Sequence, residues 1–161
     1  SGGAWTAVNA AMERPDLIES VVADSFDGRT LADDFAENLL AERAFAKKDK
    51  NARQFYEWCQ GKDWEQVVDA DTKALVECAQ KKMPLFQKPL ERLSVPVLFM
   101  GSMEDTMVRK DLAEEYEQMR QRVPNGYVHL FPKGGHPAIM TNAKASALLI
   151  MDFLNGRTEK L

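Results

Sequence analysis

Several features that define common protein classes are scarce in this chain of 161 residues. The longest apolar runs, Val95–Met100 and Ala145–Met151, fall far short of the roughly 20 residues that span a bilayer, so we expect no membrane span. The formal net charge is −4, which argues against a nucleic-acid surface and against a polybasic membrane patch. Cys59 and Cys78 lack the paired spacing of a zinc site or a disulfide framework. With no visible signal peptide, we expect buried free thiols in a cytoplasmic protein.

Apolar spacing along the chain predicts alternating helices and strands. Residues 2–14 have helical periodicity that ends before Pro15, and the apolar stretch 20–24 fits a buried strand. Residues 30–93 are charged and helix-forming, and we expect four or five short helices there. Further elements follow as a strand at 95–100, a helix at 109–122, the strand YVHLF and a last helix at 142–154. Strands alternating with helices indicate an α/β fold with a mostly parallel sheet.

This pattern divides the chain into three segments. Residues 1–29 and 94–161 form the α/β core, and residues 30–93 form a helical insertion between its first and second strands. An insertion far longer than a crossover needs is expected to serve as a cap over the strand ends. Its aromatic side chains, Trp58 and Trp64 among them, are candidates for lining a substrate pocket. Three short strands make a thin sheet, so we expect the sheet to continue before Ser1 and the sequence to be the C-terminal part of a larger domain.

Candidate catalytic residues are few, because the chain has only two histidines. His129 lies inside the strand pattern YVHLF and is expected to be structural. His136 follows two glycines in a loop, where a side chain stays accessible and suits proton transfer near neutral pH. Asp105 follows the strand VLFM and could hold the imidazole of His136 in one tautomer. Glu104 beside it, and Asp24 at the end of the first strand, are alternative carboxylates.

Ser1 supplies a possible nucleophile. A hydroxyl group needs a base to take its proton and backbone amides to hold the oxyanion. Gly2 would offer its N–H at a helix N-terminus, where the helix dipole favours negative charge. Gly3 and Ala4 are small enough to let that helix pass close to the preceding strand.

These residues resemble the motifs of the α/β-hydrolase family. The nucleophile elbow of that family reads G-x-S-x-G-G, continues into a helix with small residues facing the sheet, and meets a proline about fourteen residues after the serine. This chain begins SGGAWTAVNAAMERPD, which places Pro15 fourteen residues after Ser1 and Ala7 and Ala11 at the small positions. It departs from the motif in lacking the leading G-x and in having Ala4 at the second glycine. The segments VPVLFMGSMEDTMV and FPKGGHPAIMTNAKASALLIMDFL are similar to the acid loop and the histidine loop of the family.

The resemblance implies a serine hydrolase with a Ser1–His136–Asp105 triad, in the chain order of the family. The Gly2 amide would form half of the oxyanion hole, and the other half would come from a loop that this sequence does not contain. The implied substrate is a small molecule with a carboxylic ester or related carbonyl group, and neither a metal nor an organic cofactor is implied. We expect the 161 residues alone to be inactive.

Two other classes of protein are alternatives to this hypothesis. In N-terminal-nucleophile hydrolases the terminal amine serves as the base, but these enzymes need stacked antiparallel sheets, which the alternating pattern disfavours. A binding or regulatory protein with the α/β-hydrolase fold and no turnover is the second alternative. The sequence does not choose among esterases, lactonases, peptidases, C–C hydrolases and acyltransferases.

Overall fold

A computed structural model describes residues 2–157 and residue 159. The chain divides into two compact units. The core unit contains the described residues up to Arg29 and those from Pro84 onward, and the helical unit is Thr30–Met83. The core unit contains α1 (Gly3–Glu13), β1 (Val21–Asp24), a short 3-10 helix (Leu90–Arg92), β2 (Val97–Ser102), α5 (Leu112–Arg120), β3 (Gly126–Phe131), α6 (Ala138–Thr141) and α7 (Ala143–Leu154). The helical unit contains α2 (Phe35–Ala46), α3 (Lys50–Gln60) and α4 (Trp64–Gln80).

The sheet of the core unit has the strand order β1-β2-β3, and both strand pairs are parallel. In the register, Asp24 lies opposite Met100 on β2, and Ser102 lies opposite Phe131 on β3. The prediction of an α/β fold with a parallel sheet is therefore confirmed. The carboxyl ends of all three strands meet at one edge, so the loops that follow them converge there.

Alternating residues of β2 pack against two separate layers, as the two-residue period of a strand requires. Val97 and Phe99 belong to an apolar cluster with residues of α1 and α5, whereas Leu98 and Met100 belong to a second cluster with residues of α6 and α7. Every residue of β2 is buried. The sheet thus lies between two helical layers, and burial on both faces explains the continuous apolar run that identified this strand in the sequence.

Helix α1 carries the small residues that the sequence singled out. Ala4, Val8, Ala11 and Met12 are buried on its inner face, and the helix ends at Glu13, close to the predicted end. The close approach expected at Gly3 concerns a strand before Ser1, which lies outside the described residues, so it stays a prediction. Among the described residues, a Cβ atom at Gly3 would meet no atom within 4 Å.

The helical unit ends earlier than the predicted segment. Residues 30–93, where four or five short helices were expected, hold the three α-helices and the short 3-10 helix Leu90–Arg92. The unit ends at Met83, because Phe86, Leu90 and Leu93 are buried in the core unit. Salt bridges connect its helices, with Lys47, the residue that follows α2, 2.5 Å from Asp69 of α4.

The aromatic and thiol side chains of the helical unit have different environments. Trp64 is buried and stacks on Tyr56 with ring centroids 5.7 Å apart, whereas Trp58 is 83% exposed. Both cysteines are free, but Cys59 is exposed and Cys78 only partly buried, so the expected burial of both thiols was wrong. The reason is local: α3, which carries Cys59, has no fully buried residue. Within the described residues, no helix has the length and apolarity that crossing a membrane would require.

Candidate active site

The loops after β2 and β3 bring Asp105 and His136 into direct contact. His136 Nδ1 lies 2.8 Å from Asp105 Oδ2, a distance typical of a strong hydrogen bond to a charged group. The Asp105 side chain is fully buried, and the His136 side chain is 15% exposed. Because an ionised carboxylate only accepts hydrogen bonds, Nδ1 carries the proton in the neutral ring, which leaves the Nε2 lone pair free to accept one.

Asp105 is itself fixed by the backbone of its loop. Its second carboxylate oxygen, Oδ1, accepts a hydrogen bond from the Met107 N–H at 2.9 Å, which closes a tight turn around the side chain. The Asp105 N–H donates to the Ser102 carbonyl at the end of β2, at 3.3 Å. Its orientation is therefore determined by the sheet and the turn together.

The loop that carries His136 is held at Gly134. The Ser102 hydroxyl donates to the Gly134 carbonyl, and Glu104 Oε2 accepts from the Gly134 N–H at 3.2 Å. Gly134 has φ +106°, and a Cβ atom there would lie 2.4 Å from Asn142 Nδ2, so both backbone and space require a glycine. Asn142 also donates to the Lys133 carbonyl at 3.0 Å. The histidine thus comes from a loop that is anchored before the ring.

The two alternative carboxylates have other partners. Glu104 holds the Gly134 amide, as just described. Asp24 accepts hydrogen bonds from the Ser25 hydroxyl at 3.2 Å and from the Ile139 N–H at 3.1 Å. Burial raises the pKa of Asp24 above its ordinary value, and the Ile139 hydrogen bond and the charge of His136 oppose that rise.

His129 lies on β3, opposite Met100 in the register, and its ring packs edge-on against Phe131 with centroids 4.6 Å apart. Burial lowers the pKa of His129. These contacts agree with the structural role expected for it. Of the two histidines, His136 is the one that the structure pairs with a buried carboxylate.

The remaining predicted site residues are only partly placed. Ser1 lies outside the described residues, so its role as nucleophile stays a prediction. Gly2 is the N-cap residue of α1, as expected, and is exposed. Within the described residues no group of three histidine, cysteine or acidic side chains is arranged to hold a metal ion. Sequence reasoning missed Ser25, a buried residue after β1 whose hydroxyl accepts a hydrogen bond from the Ala138 N–H.

Comparisons with known proteins identify the fold. No family model and no curated protein sequence matches the chain. Among solved structures, NosK from Streptomyces actuosus is similar with a TM-score of 0.75 and 20% identity, over 97% of this chain and 66% of that protein. An α/β-hydrolase enzyme from a deep-sea metagenome library gives 0.58 and 17%, over 97% of this chain and 62% of the enzyme. The enol-lactonase from Burkholderia xenovorans gives 0.61 and 17%, over 96% of this chain and 63% of the lactonase.

The chain therefore spans less than two thirds of the length of these structures. The resemblance inferred from the sequence motifs agrees with the α/β-hydrolase enzyme among them. The chain belongs to the proteins with the α/β-hydrolase fold.

Proposed function

We propose that the protein is a serine hydrolase that cleaves a carboxylic ester or a related carbonyl substrate through an acyl-enzyme. Ser1 is the nucleophile, His136 the general base and then the general acid, and Asp105 the residue that orients His136. The Gly2 N–H supplies one donor of the oxyanion hole. The observation that carries the proposal is the 2.8 Å contact between His136 Nδ1 and the fully buried Asp105 carboxylate.

The proposed reaction follows from the protonation of this pair. Nε2 of His136 takes the Ser1 hydroxyl proton as Oγ attacks the carbonyl carbon, and the buried Asp105 stabilises the imidazolium that forms. The imidazolium then gives its proton to the leaving alcohol, which leaves the acyl group on Ser1. Water attacks the acyl-enzyme by the same base catalysis and restores the serine.

Three features support the proposal beyond this contact. Both groups lie at the carboxyl ends of parallel strands, where α/β proteins bind their ligands. The order serine, acid, histidine along the chain is the order of α/β hydrolases. The enol-lactonase among the similar structures acts, by its name, on a lactone, which is a cyclic carboxylic ester. We propose that the helical unit, Thr30–Met83, serves as the cap that selects the substrate.

Labelling by a fluorophosphonate and turnover of p-nitrophenyl esters test the function in the full natural protein. We expect label on Ser1, and we expect His136→Gln to abolish turnover while His129→Gln, the matched change at the other histidine, retains it. Asp105→Asn would reverse the favoured tautomer of His136 and reduce kcat by roughly 10⁴-fold. Absence of label in folded protein, together with turnover that survives His136→Gln, would contradict the proposal.

The same assay decides between the two acids of the loop after β2. If Glu104 were the orienting acid, Glu104→Gln would cause the large loss of kcat and Asp105→Asn would not. A folded protein that neither labels nor turns over any ester, yet binds small carbonyl compounds, would favour a binding protein with this fold.

A further inference from the structure

The end of β1 holds the backbone that follows His136. Ser25 Oγ accepts a hydrogen bond from the Ala138 N–H at 2.8 Å, and Asp24 Oδ2 accepts one from the Ile139 N–H at 3.1 Å. Two successive amides, beginning two residues after His136, are thus bound by two successive side chains. The Ala138 amide and its partner are buried, so water cannot replace this hydrogen bond if it is lost.

Ser25 has a backbone conformation that favours glycine. Its φ is +51°, in the left-handed region where a Cβ atom costs conformational energy, and its side chain is fully buried. Asparagine and aspartate tolerate this region better than serine does. A serine therefore persists here at a cost, and its hydroxyl hydrogen bonds to Asp24 and Ala138 offset that cost.

The backbone around Ser25 is fixed on both sides. Its N–H donates to the Met100 carbonyl at 2.8 Å, which extends the pairing of β1 with β2. The next residue, Phe26, has both of its backbone groups bound by the buried Tyr116 hydroxyl, at 3.1 Å from its N–H and 2.9 Å from its carbonyl oxygen. The acceptor that Ser25 presents to the histidine loop is consequently rigid.

We propose that Asp24 and Ser25 are positioning residues for His136, which hold the backbone after the ring while Asp105 holds Nδ1. The inference rests on the proposed function only for its catalytic consequence, since the hydrogen bonds themselves are independent of turnover. Three carboxylates face this loop from two strand ends, namely Asp24 from β1 and Glu104 and Asp105 from β2. Asp105 binds the ring, Glu104 binds the backbone before it, and Asp24 binds the backbone after it.

Two substitutions of the same residue separate positioning from general destabilisation. Ser25→Ala removes the hydroxyl and keeps the unfavourable φ, whereas Ser25→Gly removes the hydroxyl and relieves the backbone. Ser25→Gly should therefore be the more stable variant towards denaturant. If the hydroxyl positions His136, both variants lose kcat to the same extent, about tenfold to a hundredfold, with little change in KM. A loss of kcat that follows stability instead would overturn the proposal.

The low-field proton resonance of His136 Nδ1 gives a readout that does not depend on activity. In isotope-labelled full natural protein we expect a sharp Nδ1–H signal that is lost in Asp105→Asn and broadened by exchange with water in both Ser25 variants. His129 is the internal control, because its ring packs against Phe131 within β3, and its signals, identified by their loss in His129→Gln, should not change. A sharp His136 signal in Ser25→Gly, with kcat equal to that of the wild type, would refute the positioning role. If instead His136→Gln remains fully active, the proposed function fails, while the resonance still tests the positioning.

Asp24 is tested by a conservative rescue. Asp24→Ala removes the acceptor for the Ile139 N–H, whereas Asp24→Asn keeps one carbonyl oxygen in its place. We expect Asp24→Ala to broaden the His136 signal and Asp24→Asn to restore part of its sharpness. Equal behaviour of the two variants, both like the wild type, would exclude Asp24 from the positioning pair.

Discussion

Removing the Tyr116 hydroxyl tests a fully buried polar contact of the core unit. Tyr116 lies on α5 with no exposed surface, and its ring packs against Phe26 and Phe99 with centroids 5.2 and 5.9 Å away. Its hydroxyl donates to the Phe26 carbonyl and accepts from the Phe26 N–H. Tyr116→Phe keeps the ring and removes only the oxygen. It therefore leaves two buried backbone groups of one residue without their partner.

The magnitude follows from these two groups. A buried polar group that loses its partner costs about 1–3 kcal/mol, and the retained ring keeps the apolar contribution, so we expect Tyr116→Phe to lose about 3 kcal/mol in all. For a chain of this length, each kcal/mol lowers Tm by about 2–4 °C, which gives a fall of about 6–12 °C.

Denaturant unfolding and amide hydrogen exchange of the core unit are the measurements. The Phe26 amide should be among the slowly exchanging amides of the wild type and should exchange much faster in Tyr116→Phe. Tyr127→Phe is the matched control, because Tyr127 is a half-buried residue of β3 whose ring packs edge-on against Phe153. We expect the control to change stability by less than about 1 kcal/mol. If Tyr116→Phe is no less stable than Tyr127→Phe, the reasoning from buried partners is refuted.

Three further predictions concern the same region. Gly28→Ala should destabilise the protein by more than about 2 kcal/mol, because Gly28 has φ +88° and a Cβ atom there would lie 2.4 Å from Glu115 Cγ. Gly156→Ala is the control in the same denaturation assay: Gly156 has φ +70° but lies in open space, so this variant should lose only the backbone contribution. Burial raises the pKa of Glu115, but the hydrogen bonds from Arg29 outweigh burial and leave this pKa below 4.5. The ionised Glu115 therefore stabilises the fold above about pH 4.5, and this stabilisation is lost as the pH falls through the lower folded-state pKa. Unfolding at a series of acid pH values should show a weaker pH dependence in Glu115→Gln. Burial raises the pKa of Tyr116 well above 10, so above this pH the phenol stays neutral in the folded state but ionises in the unfolded state. The stability of the wild type should therefore fall as the pH rises above 10, and the difference in unfolding free energy between wild type and Tyr116→Phe should become smaller.

The strands were predictable because their apolar runs reflect burial, but their ends were not. The run 95–100 predicted the second strand, whereas β2 occupies Val97–Ser102. Pro96 has no N–H to donate to a ladder, which delays the start of the strand. At the other end, Gly101 lies beyond the predicted strand but pairs with Leu130. A Cβ atom at Gly101 would lie 3.1 Å from Leu112 and 3.2 Å from Leu130, so the glycine marks close packing inside a strand.

Helix boundaries and helix faces show where local pattern was insufficient. Leu148, Leu149 and Phe153 recur at helical spacing in the last helix, which is typical of one buried face. In the structure, Leu149 and Phe153 are buried, but Leu148 is 58% exposed. The loop predicted before this helix contains the short helix α6, whose Ala138 fills the second core cluster. Such contacts depend on tertiary packing, which a one-dimensional pattern does not contain.

The residues that hold His136 and its loop differ in how far the sequence alone predicted their roles. Asp105 and His136 follow strands in a pattern that parallel topology predicts to converge, and the structure places them in contact. Asp24 was noticed at the end of β1 but interpreted only as a competitor for the acid role. Ser25 was missed, although an Asp-Ser pair at the end of a buried strand lies at the same edge as the acid and the histidine. The missing information was the left-handed φ of Ser25, which turns its hydroxyl into a buried acceptor.

Several acids lie near His136, yet their environments assign them different tasks. Asp105 combines full burial of its side chain with contact to the ring, so it can stabilise an imidazolium without being screened by water. Asp24 is half-buried, and its oxygens accept hydrogen bonds from the Ser25 hydroxyl and the Ile139 amide. Burial raises the pKa of Asp24, so it is less suited than Asp105 to act as a permanent negative charge beside the ring. Glu104 binds a backbone amide at an exposed position, where a charge contributes little. A histidine loop needs a fixed backbone as well as a charged partner, and the three carboxylates divide these roles. Glu104 and Asp24 hold the backbone before and after His136, and Asp105 binds the ring itself.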